Sequence, residues 1–218
     1  MTKHIYLYRM TSDSGCAPCV FTNNYKTSDL LTLACCKGGQ IRKGKEVFTG
    51  MRHTIGKNHM ENIKNHTDEV YVVGIHRNCY LYVAKITSII EMKDYFSDKK
   101  YKNRMDCIYT VSGEKLNHNN NNPCFHPDNK NHQHDRDRLG QYVLLSDNKF
   151  IYLGESFLEH PVNENALSFI PKRQETKHYI EEDLGFTIIW EEISKIEHIH
   201  SKEPIVRIKT NTKECYQK

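Results

Sequence analysis

The residues best suited to chemistry are concentrated in positions 13–42 of the sequence. This stretch contains four of the eight cysteines, a turn built on glycine and proline, and a Cys-Cys-Lys cluster that ends at Lys37. Glycine and proline fix the backbone geometry of a turn. Packing alone, however, does not require thiols, a carboxylate and two cations in one short segment. We therefore expect this stretch to form one wall of a functional site.

Individual residues of this stretch have defined chemical options. Asp13 can cap its own turn, or it can act as a general base. Cys36 is a candidate nucleophile because the neighbouring Lys37 cation favours the thiolate. Lys37 and Arg42 are candidates for binding phosphate, although a solvated basic loop is the alternative. The further substrate-binding candidates in the stretch are Ser14, Gly15 and Cys19.

The cysteines of this stretch raise the alternative of a zinc or redox site. Cys16 and Cys19 form a C-x-x-C pair, and Cys35 and Cys36 follow along the chain. Adjacent cysteines on a strand point to opposite faces, so the two rarely reach one metal ion. A redox role would need a thioredoxin-like strand and helix, which the sequence does not contain. We therefore assign no metal ligands, and we expect Cys35 to be a small core residue.

A second polar cluster lies in the Asn- and His-rich segment 112–138. Its pattern is H-x-H-D-x-D, formed by His132, His134, Asp135 and Asp137. These side chains could bind a divalent metal, and His134 with Asp137 could act as an acid–base pair. A polar loop without chemistry is the alternative. We select His134 as a catalytic candidate, and Asp135 and Asp137 as substrate-binding candidates.

The elements that must position these residues are mostly short strands. The strongest strand signals, residues 69–75 and 79–90, predict a β-hairpin across His76-Arg77-Asn78. A second hairpin is predicted around Asp147-Asn148. Five tyrosines lie among the strands, and one or two of them could stack on a base; they are Tyr71, Tyr80, Tyr82, Tyr109 and Tyr152, of which Tyr152 is placed in the site. Further strands are expected at residues 5–10 and 30–35.

Helices are expected only as short pieces, near Met60, at residues 91–96 and around Trp190. Many strands and few helices predict an α+β fold, with a PUA-like small β-barrel or a strongly curved mixed sheet and short flanking helices. We expect one domain over residues 1–218, with a core at 1–155. Polar insertions are expected near 48–67 and 112–138, and residues 156–218 would form a C-terminal extension packed on the core.

Bulk composition narrows the class of protein. The 218 residues are 38% hydrophobic, and no apolar run is long enough to cross a membrane. Without a secretory signal pattern, we expect a cytoplasmic protein whose cysteines are free thiols, metal ligands or catalysts rather than disulfides. The net charge of +4 suits a nucleotide or nucleic-acid partner but does not require one. The sequence identifies neither a cofactor nor an oligomeric state.

Four motifs together resemble the nucleotide-modification-associated domain families of phages and bacteria, of the second and third types. They are D-S-G-C-A-P at residues 13–18, T-L-A-C-C-K at 32–37 with Ile41-Arg42, the strand pair E-V-Y-V-V-G-I and Y-L-Y-V-A-K-I-T with M-K-D-Y-F-S-D, and residues 134–140 leading into Y-V-L-L-S-D-N-K-F-I-Y-L-G. The likeness covers most of residues 1–155, and the strand pair is also similar to the barrel of PUA, EVE and ASCH domains.

The resemblance implies a protein that acts on a nucleotide or on a DNA base, in a phage or bacterial conflict system. We expect an enzyme with Asp13, Cys36 and His134 as catalytic residues. A non-catalytic reader of a modified base is the alternative, as is a protein that sequesters a signalling nucleotide. The reaction is not implied by the resemblance.

Overall fold

Two open β-sheets make up most of the fold. In this computed structural model, residues 1–125, 134–196 and 203–205 are described. The strands are β1 (Thr2–Arg9), β2 (Cys19–Phe21), β3 (Thr27–Leu33), β4 (Gln40–Arg42), β5 (Lys45–Val47), β6 (Asp68–His76), β7 (Cys79–Ile86), β8 (Ser88–Glu91), β9 (Tyr109–Ser112), β10 (Lys115–His118), β11 (Tyr142–Asp147), β12 (Phe150–Tyr152) and β13 (Thr176–Ile180). The helices are α1 (Met51–Lys64), α2 (Met92–Ser97), α3 (His134–Arg138) and α4 (Leu184–Ile193), with 3-10 turns at Lys99–Tyr101, Gly154–Glu159 and Glu164–Ala166.

The larger sheet has the strand order β12-β7-β6-β1-β13. Strand β1 lies parallel to β6 and antiparallel to β13. Its residues from Ile5 to Tyr8 are all at most 2% exposed, so both faces of the strand are covered. The predicted hairpin between β6 and β7 is confirmed. Arg77 and Asn78 at its turn have φ of 49° and 59°, as a two-residue turn with left-handed backbone requires.

The second predicted hairpin is wrong. Strand β11 belongs to the smaller sheet, of order β2-β3-β11-β8, whereas β12 pairs with β7 in the larger sheet. Residues 147–149 therefore carry the chain from one sheet to the other. Two apolar strands joined by a tight Asp-Asn turn look the same in sequence whether they pair or separate, because the pattern shows burial and not the neighbour.

The mixed, sheet-rich class with few helices is confirmed, but neither the closed barrel nor the strongly curved sheet is found among the described residues. Closure of the larger sheet would require its end strands β12 and β13 to pair, and no pairing among the described residues joins them. The remaining strands form two separate two-stranded pairs, β4 with β5 and β9 with β10. Among the described helices, none is long and apolar enough to cross a membrane.

Helix α1 is much longer than the short piece expected near Met60. It runs from Met51 to Lys64 and contacts β6, β8 and β11. Its buried face includes Arg52 and His59 besides Ile55 and Ile63. Because two of these buried residues are polar, the apolar spacing that predicts a helix is interrupted. In the sequence the segment therefore resembles a polar insertion with only a short helix.

The expectation that the cysteines are free thiols, metal ligands or catalysts rather than disulfides is wrong for one pair. Cys16 and Cys124 form a disulfide across a sequence separation of 108 residues. Cys16 lies in the turn after Asp13, and Cys124 lies in the Asn-rich segment, close to its described end. A pairing between residues so far apart produces no spacing pattern, so the sequence could not reveal it.

Candidate functional site

The Cys36-Lys37 segment has an unusual backbone. Both residues adopt left-handed conformations, with φ of 60° and 53°. Side chains other than glycine rarely adopt this region, and such residues persist where their surroundings hold them. Here the carbonyl of Cys36 accepts a 2.6 Å hydrogen bond from Arg52 Nε, and the carbonyl of Lys37 accepts one from the Arg52 amide. The first turn of α1 therefore fixes this segment.

Two glycines allow three backbone segments to meet beside Lys37. A Cβ atom on Gly38 would lie 2.2 Å from the carbonyl oxygen of Asp137. A Cβ atom on Gly50 would lie 2.0 Å from the carbonyl oxygen of Gly38. No side chain fits at either position without displacing backbone. The loop after Cys36 is thus packed between the start of α1 and helix α3.

Arg52 connects these segments. It is fully buried, and its guanidinium donates to Asp137 Oδ1 at 2.7 Å and to the carbonyls of Asp137 and Tyr142 at 2.6 and 2.7 Å. A Cβ atom on Gly140 would lie 2.4 Å from its Cζ, so the glycine makes room for the guanidinium plane. Sequence reasoning missed Arg52, because a single arginine in a polar segment gives no sign of burial.

A hydrogen-bonded chain joins Asp137 to His134. Tyr109 Oη donates to Asp137 Oδ2 at 2.9 Å and lies 2.8 Å from His134 Nδ1. Burial and the adjacent Asp137 charge raise the pKa of Tyr109 far above its usual value, so the phenol keeps its proton. With that proton directed to Asp137, the phenol oxygen accepts from His134 Nδ1–H. In this tautomer the imidazole lone pair is on Nε2.

Asp13 is buried in a hydrogen-bonded turn. Its Oδ1 accepts from the Gly15 amide at 3.0 Å, and its Oδ2 accepts from Tyr152 Oη and, at 3.4 Å, from the Ile205 amide. Burial raises the pKa of Asp13, although these hydrogen bonds and the nearby His76 oppose the rise. The raised pKa favours the protonated acid, which can donate as well as accept. Asp13 and Tyr152, both of which the sequence predicts to lie in the site, are in direct contact.

Lys37 lies over Tyr8, close to the place where the turn of Asp13 is joined to the Cys36 segment by a 3.2 Å hydrogen bond from Cys35 Sγ to the Cys16 carbonyl. The Lys37 ammonium lies 4.8 Å from the centre of the Tyr8 ring, and Tyr82 donates to Tyr8 Oη at 2.8 Å. Burial raises the pKa of both tyrosines, and the Asp13 charge adds to the rise at both. The hydrogen bond from Tyr82 opposes the rise at Tyr8. Burial also lowers the pKa of the Lys37 amine, and the Cys36 thiol opposes that shift. A cation over an aromatic ring is thus positioned beside Cys36.

The neighbouring cysteines differ in environment. Cys35 is 3% exposed. Two effects raise the pKa of its thiol: first its hydrogen bond with Cys36, and second its burial. Cys36 is half-buried. Cys19 is completely buried and donates to the Phe21 carbonyl, and burial raises its pKa to about 12. Of the three thiols, Cys36 has the surface exposure that a nucleophile needs.

Some predicted residues are not brought together with the others. Arg42 is exposed on the β4–β5 pair, where its Nε donates to Gln40. Asp135 is exposed and forms an ion pair with Arg138. Ser14 is half-buried beside Asp13. His132 lies outside the described residues.

A second buried charge network supports the smaller sheet. Asp106 accepts from Thr32 and, at 2.7 Å, from Tyr95, while Arg104 donates to the carbonyls of Cys19 and Leu30 at 2.6 and 2.9 Å. Sequence reasoning missed this network because the partners in β2 and β3 lie at least 72 residues from Arg104 and Asp106. It holds β2 against β3, and so fixes the chain that follows Asp13.

Comparison with known proteins gives one match. No curated protein and no solved structure matches the chain significantly. Residues 2–211 match the sequence model of a family described as nucleotide modification associated domain 2. This match extends well beyond residue 155, where the motif likeness ended. The chain belongs to the nucleotide modification associated domain 2 family.

Proposed function

We propose that this protein is an enzyme that modifies a nucleotide or a nucleobase of DNA. The observation that carries the proposal is the convergence of three distant segments: the turn of Asp13, the Cys36-Lys37 segment and helix α3 with His134. Cys35 Sγ joins the first two by donating to the Cys16 carbonyl, and Arg52 joins the last two. Membership of the family supports a role in nucleotide modification. The reaction itself is left open by both observations.

The proposed roles follow from the hydrogen bonds and charges around each group. His134 transfers a proton through Nε2, because Tyr109 and Asp137 orient the ring from Nδ1. Lys37 contacts a phosphate, and Asp13 binds a ring nitrogen or an amino group of the base. Cys36 is the candidate nucleophile. Tyr152 holds Asp13 in place, and Ser14 and Gly15 line its turn.

Arg42 and Asp135 lie outside the central group of proposed site residues. Both are exposed, and their described contacts are with Gln40 and Arg138 rather than with the central residues. Arg42 would contact phosphate only where a substrate extends over the β4–β5 pair, as a polynucleotide can. Its contribution should therefore be seen with DNA and not with mononucleotides.

The test is product formation by variants of His134 and Asp13. Wild-type protein, His134→Gln and Asp13→Asn are incubated with DNA and with nucleotides, and the nucleosides are analysed by mass spectrometry. If the protein is an enzyme, His134→Gln should lose product formation while ligand affinity largely survives. Asp13→Asn should lower ligand affinity as well as product formation, because Asp13 contacts the base in this proposal. Asp135→Asn is the matched control, because this exposed carboxylate pairs only with Arg138 in the described contacts. Unchanged turnover in His134→Gln contradicts the assigned role.

A non-catalytic reader is the second candidate. Both carboxylate oxygens of Asp13 already accept hydrogen bonds within the protein, which suits a group that shapes a binding site. If the protein is a reader, the variants of Asp13 and His134 should change ligand affinity alone, and the ligand should be recovered intact after denaturation. Tight stoichiometric binding would favour a protein that sequesters a nucleotide. The relation to PUA, EVE and ASCH domains and the role in phage conflict stay predictions from the sequence motifs.

A further inference from the structure

Three histidines from distant parts of the chain meet at the β13 side of the larger sheet. His4 lies on β1, His59 on α1 and His178 on β13. One potential ligand atom from each ring lies within 4.8 Å of those of the other two. In the described part of the chain, no other group of three histidine, cysteine or acidic side chains comes this close.

The sheet register explains why these side chains meet. Tyr6 of β1 is directly opposite His178 of β13, and His4 is two residues along β1 on the same face. The rings of Tyr6 and His178 stack with centroids 4.1 Å apart. Helix α1 covers this face and places His59 with its ring centroid 4.4 Å from that of His4. Strand alternation and helix packing thus bring the three imidazoles together.

We propose that His4, His59 and His178 form a binding site for a divalent transition-metal ion, with Zn²⁺ as the best fit. His4 Nδ1 and His178 Nε2 are 3.1 Å apart. Tetrahedral zinc with bonds of about 2.0–2.1 Å places its nitrogen ligands about 3.3 Å apart. Imidazole is a ligand that suits zinc, copper, iron and nickel, whereas calcium and magnesium prefer oxygen. The His4–His178 pair is therefore already near the required spacing, whereas the ligand atom of His59, within 4.8 Å of the other two, has to move closer to complete the site.

Asp68 supplies the outer contact that metal-binding histidines usually have. Its Oδ2 is 2.7 Å from His59 Nδ1 and accepts from Asn62 at 2.9 Å. A histidine that donates Nδ1–H to a carboxylate presents its lone pair on Nε2. In the absence of metal that lone pair faces Tyr6 Oη at 2.8 Å. Metal binding replaces this hydrogen bond and the one between His4 Nδ1 and His178 Nε2, while Asp68 keeps the orientation of the His59 ring.

This site is separate from the one proposed for nucleotides and does not depend on it. His4 and Tyr8 are on the same face of β1 but four residues apart, a distance of about 13 Å along a strand. His59 is 5% exposed, whereas His178 is exposed, so one side of the group opens to solvent. Three protein ligands and one open side leave a coordination position for water. The ion would also connect β13 and α1 to β1, the strand that carries His4.

The test is metal titration of the full-length protein after removal of metal by a chelator. ZnCl2 binding is measured by calorimetry, and CoCl2 is used for the visible spectrum of a tetrahedral site. We expect His178→Ala, a change at an exposed position, to weaken Zn²⁺ binding more than Asp68→Asn does. Loss of an outer carboxylate typically weakens binding about 10–100-fold. His66→Asn is the control, because His66 is exposed at the end of α1 with a φ of 57° that asparagine tolerates.

The two possible results are distinct. Wild-type affinity in His66→Asn, with weaker binding and a lost cobalt spectrum in His178→Ala, supports the site. No saturable binding by the wild type, or binding that His178→Ala leaves unchanged, overturns it. Circular dichroism of each variant confirms that the comparison is made between folded proteins.

Discussion

At the scale of single residues, the site depends on buried polar groups whose partners come from elsewhere in the chain. Arg52 is the clearest case, since its guanidinium forms an ion pair with Asp137 and also holds the carbonyl of Cys36. Both side chains of the ion pair are at most 1% exposed. A buried pair contributes less than its Coulomb attraction suggests, but removal of one partner leaves an uncompensated charge.

We therefore expect Arg52→Met to destabilise the protein by about 3–5 kcal/mol. The measurement is urea unfolding followed by circular dichroism. Arg42→Met removes the same type of side chain from an exposed position and should change the free energy of unfolding by less than about 0.5 kcal/mol. Equal effects of the two substitutions would show that Arg52 does not hold the site together.

The raised pKa of Asp13 predicts a dependence of stability on pH. Folding favours the protonated acid, so the folded protein binds more protons than the unfolded chain above pH 3.8, the ordinary pKa of the group. The stability that this group contributes is present at low pH and is lost as pH rises toward the folded-state pKa. Asp13→Asn cannot titrate and lacks this loss.

The free energy of unfolding of wild type minus that of Asp13→Asn should therefore fall as pH is raised from about 4. Unfolding of both proteins across a pH series gives this difference, and contributions of all other groups cancel in it. A difference that stays constant with pH would mean that burial does not shift Asp13.

At the scale of elements, helix α1 is the element whose length the sequence pattern did not predict. The helix packs against β11 so closely that a Cβ atom on Gly56 would lie 2.2 Å from the ring of Tyr142. Alanine normally stabilises a helix relative to glycine by about 0.8–1 kcal/mol. Overpacking a tight contact costs about 1–3 kcal/mol. The cost of overpacking should therefore exceed the gain in helix propensity.

Gly56→Ala is thus expected to lower the free energy of unfolding, despite its better helix propensity. Lys57→Ala, at an exposed position of the same helix, should be close to neutral. Denaturant unfolding of the two variants provides the comparison. Increased stability in Gly56→Ala would contradict the close packing of α1 on β11.

The elements that sequence reasoning found are those defined by local patterns. The β6–β7 hairpin follows from two apolar runs around a turn. The roles of Asp13, Cys36 and Lys37 rest on residue type and stay predictions. What sequence reasoning missed depends on distant partners: the burial of Arg52, and the separation of β11 from β12 into different sheets. Burial of polar groups and strand neighbours are tertiary properties, and local periodicity does not encode them.

At the scale of the whole molecule, the disulfide joins the turn of Asp13 to the Asn-rich segment. It closes a loop of 108 residues, and constraint of so long a loop in the unfolded chain accounts for its stabilising effect. Cys16→Ser/Cys124→Ser should lower stability by about 2–5 kcal/mol. Peptide mapping without reduction should recover the cross-linked peptide.

Thermal unfolding with and without a reductant measures the same effect in the wild type. The double variant is the control, because its midpoint should not respond to the reductant. Full alkylation of Cys16 and Cys124 in unreduced protein would contradict the bond.

The central claim is that a nucleotide binds beside Cys36 with a phosphate at Lys37. The most direct measurement is the affinity of wild type, Lys37→Ala and Arg42→Ala for nucleosides, nucleoside monophosphates and a short DNA strand. Loss of a charged hydrogen bond costs about 1.5–3 kcal/mol. Lys37→Ala should therefore weaken phosphate-bearing ligands at least about tenfold without affecting nucleosides, and Arg42→Ala should affect only the strand. Unchanged affinity of Lys37→Ala for every phosphate-bearing ligand would contradict the claim.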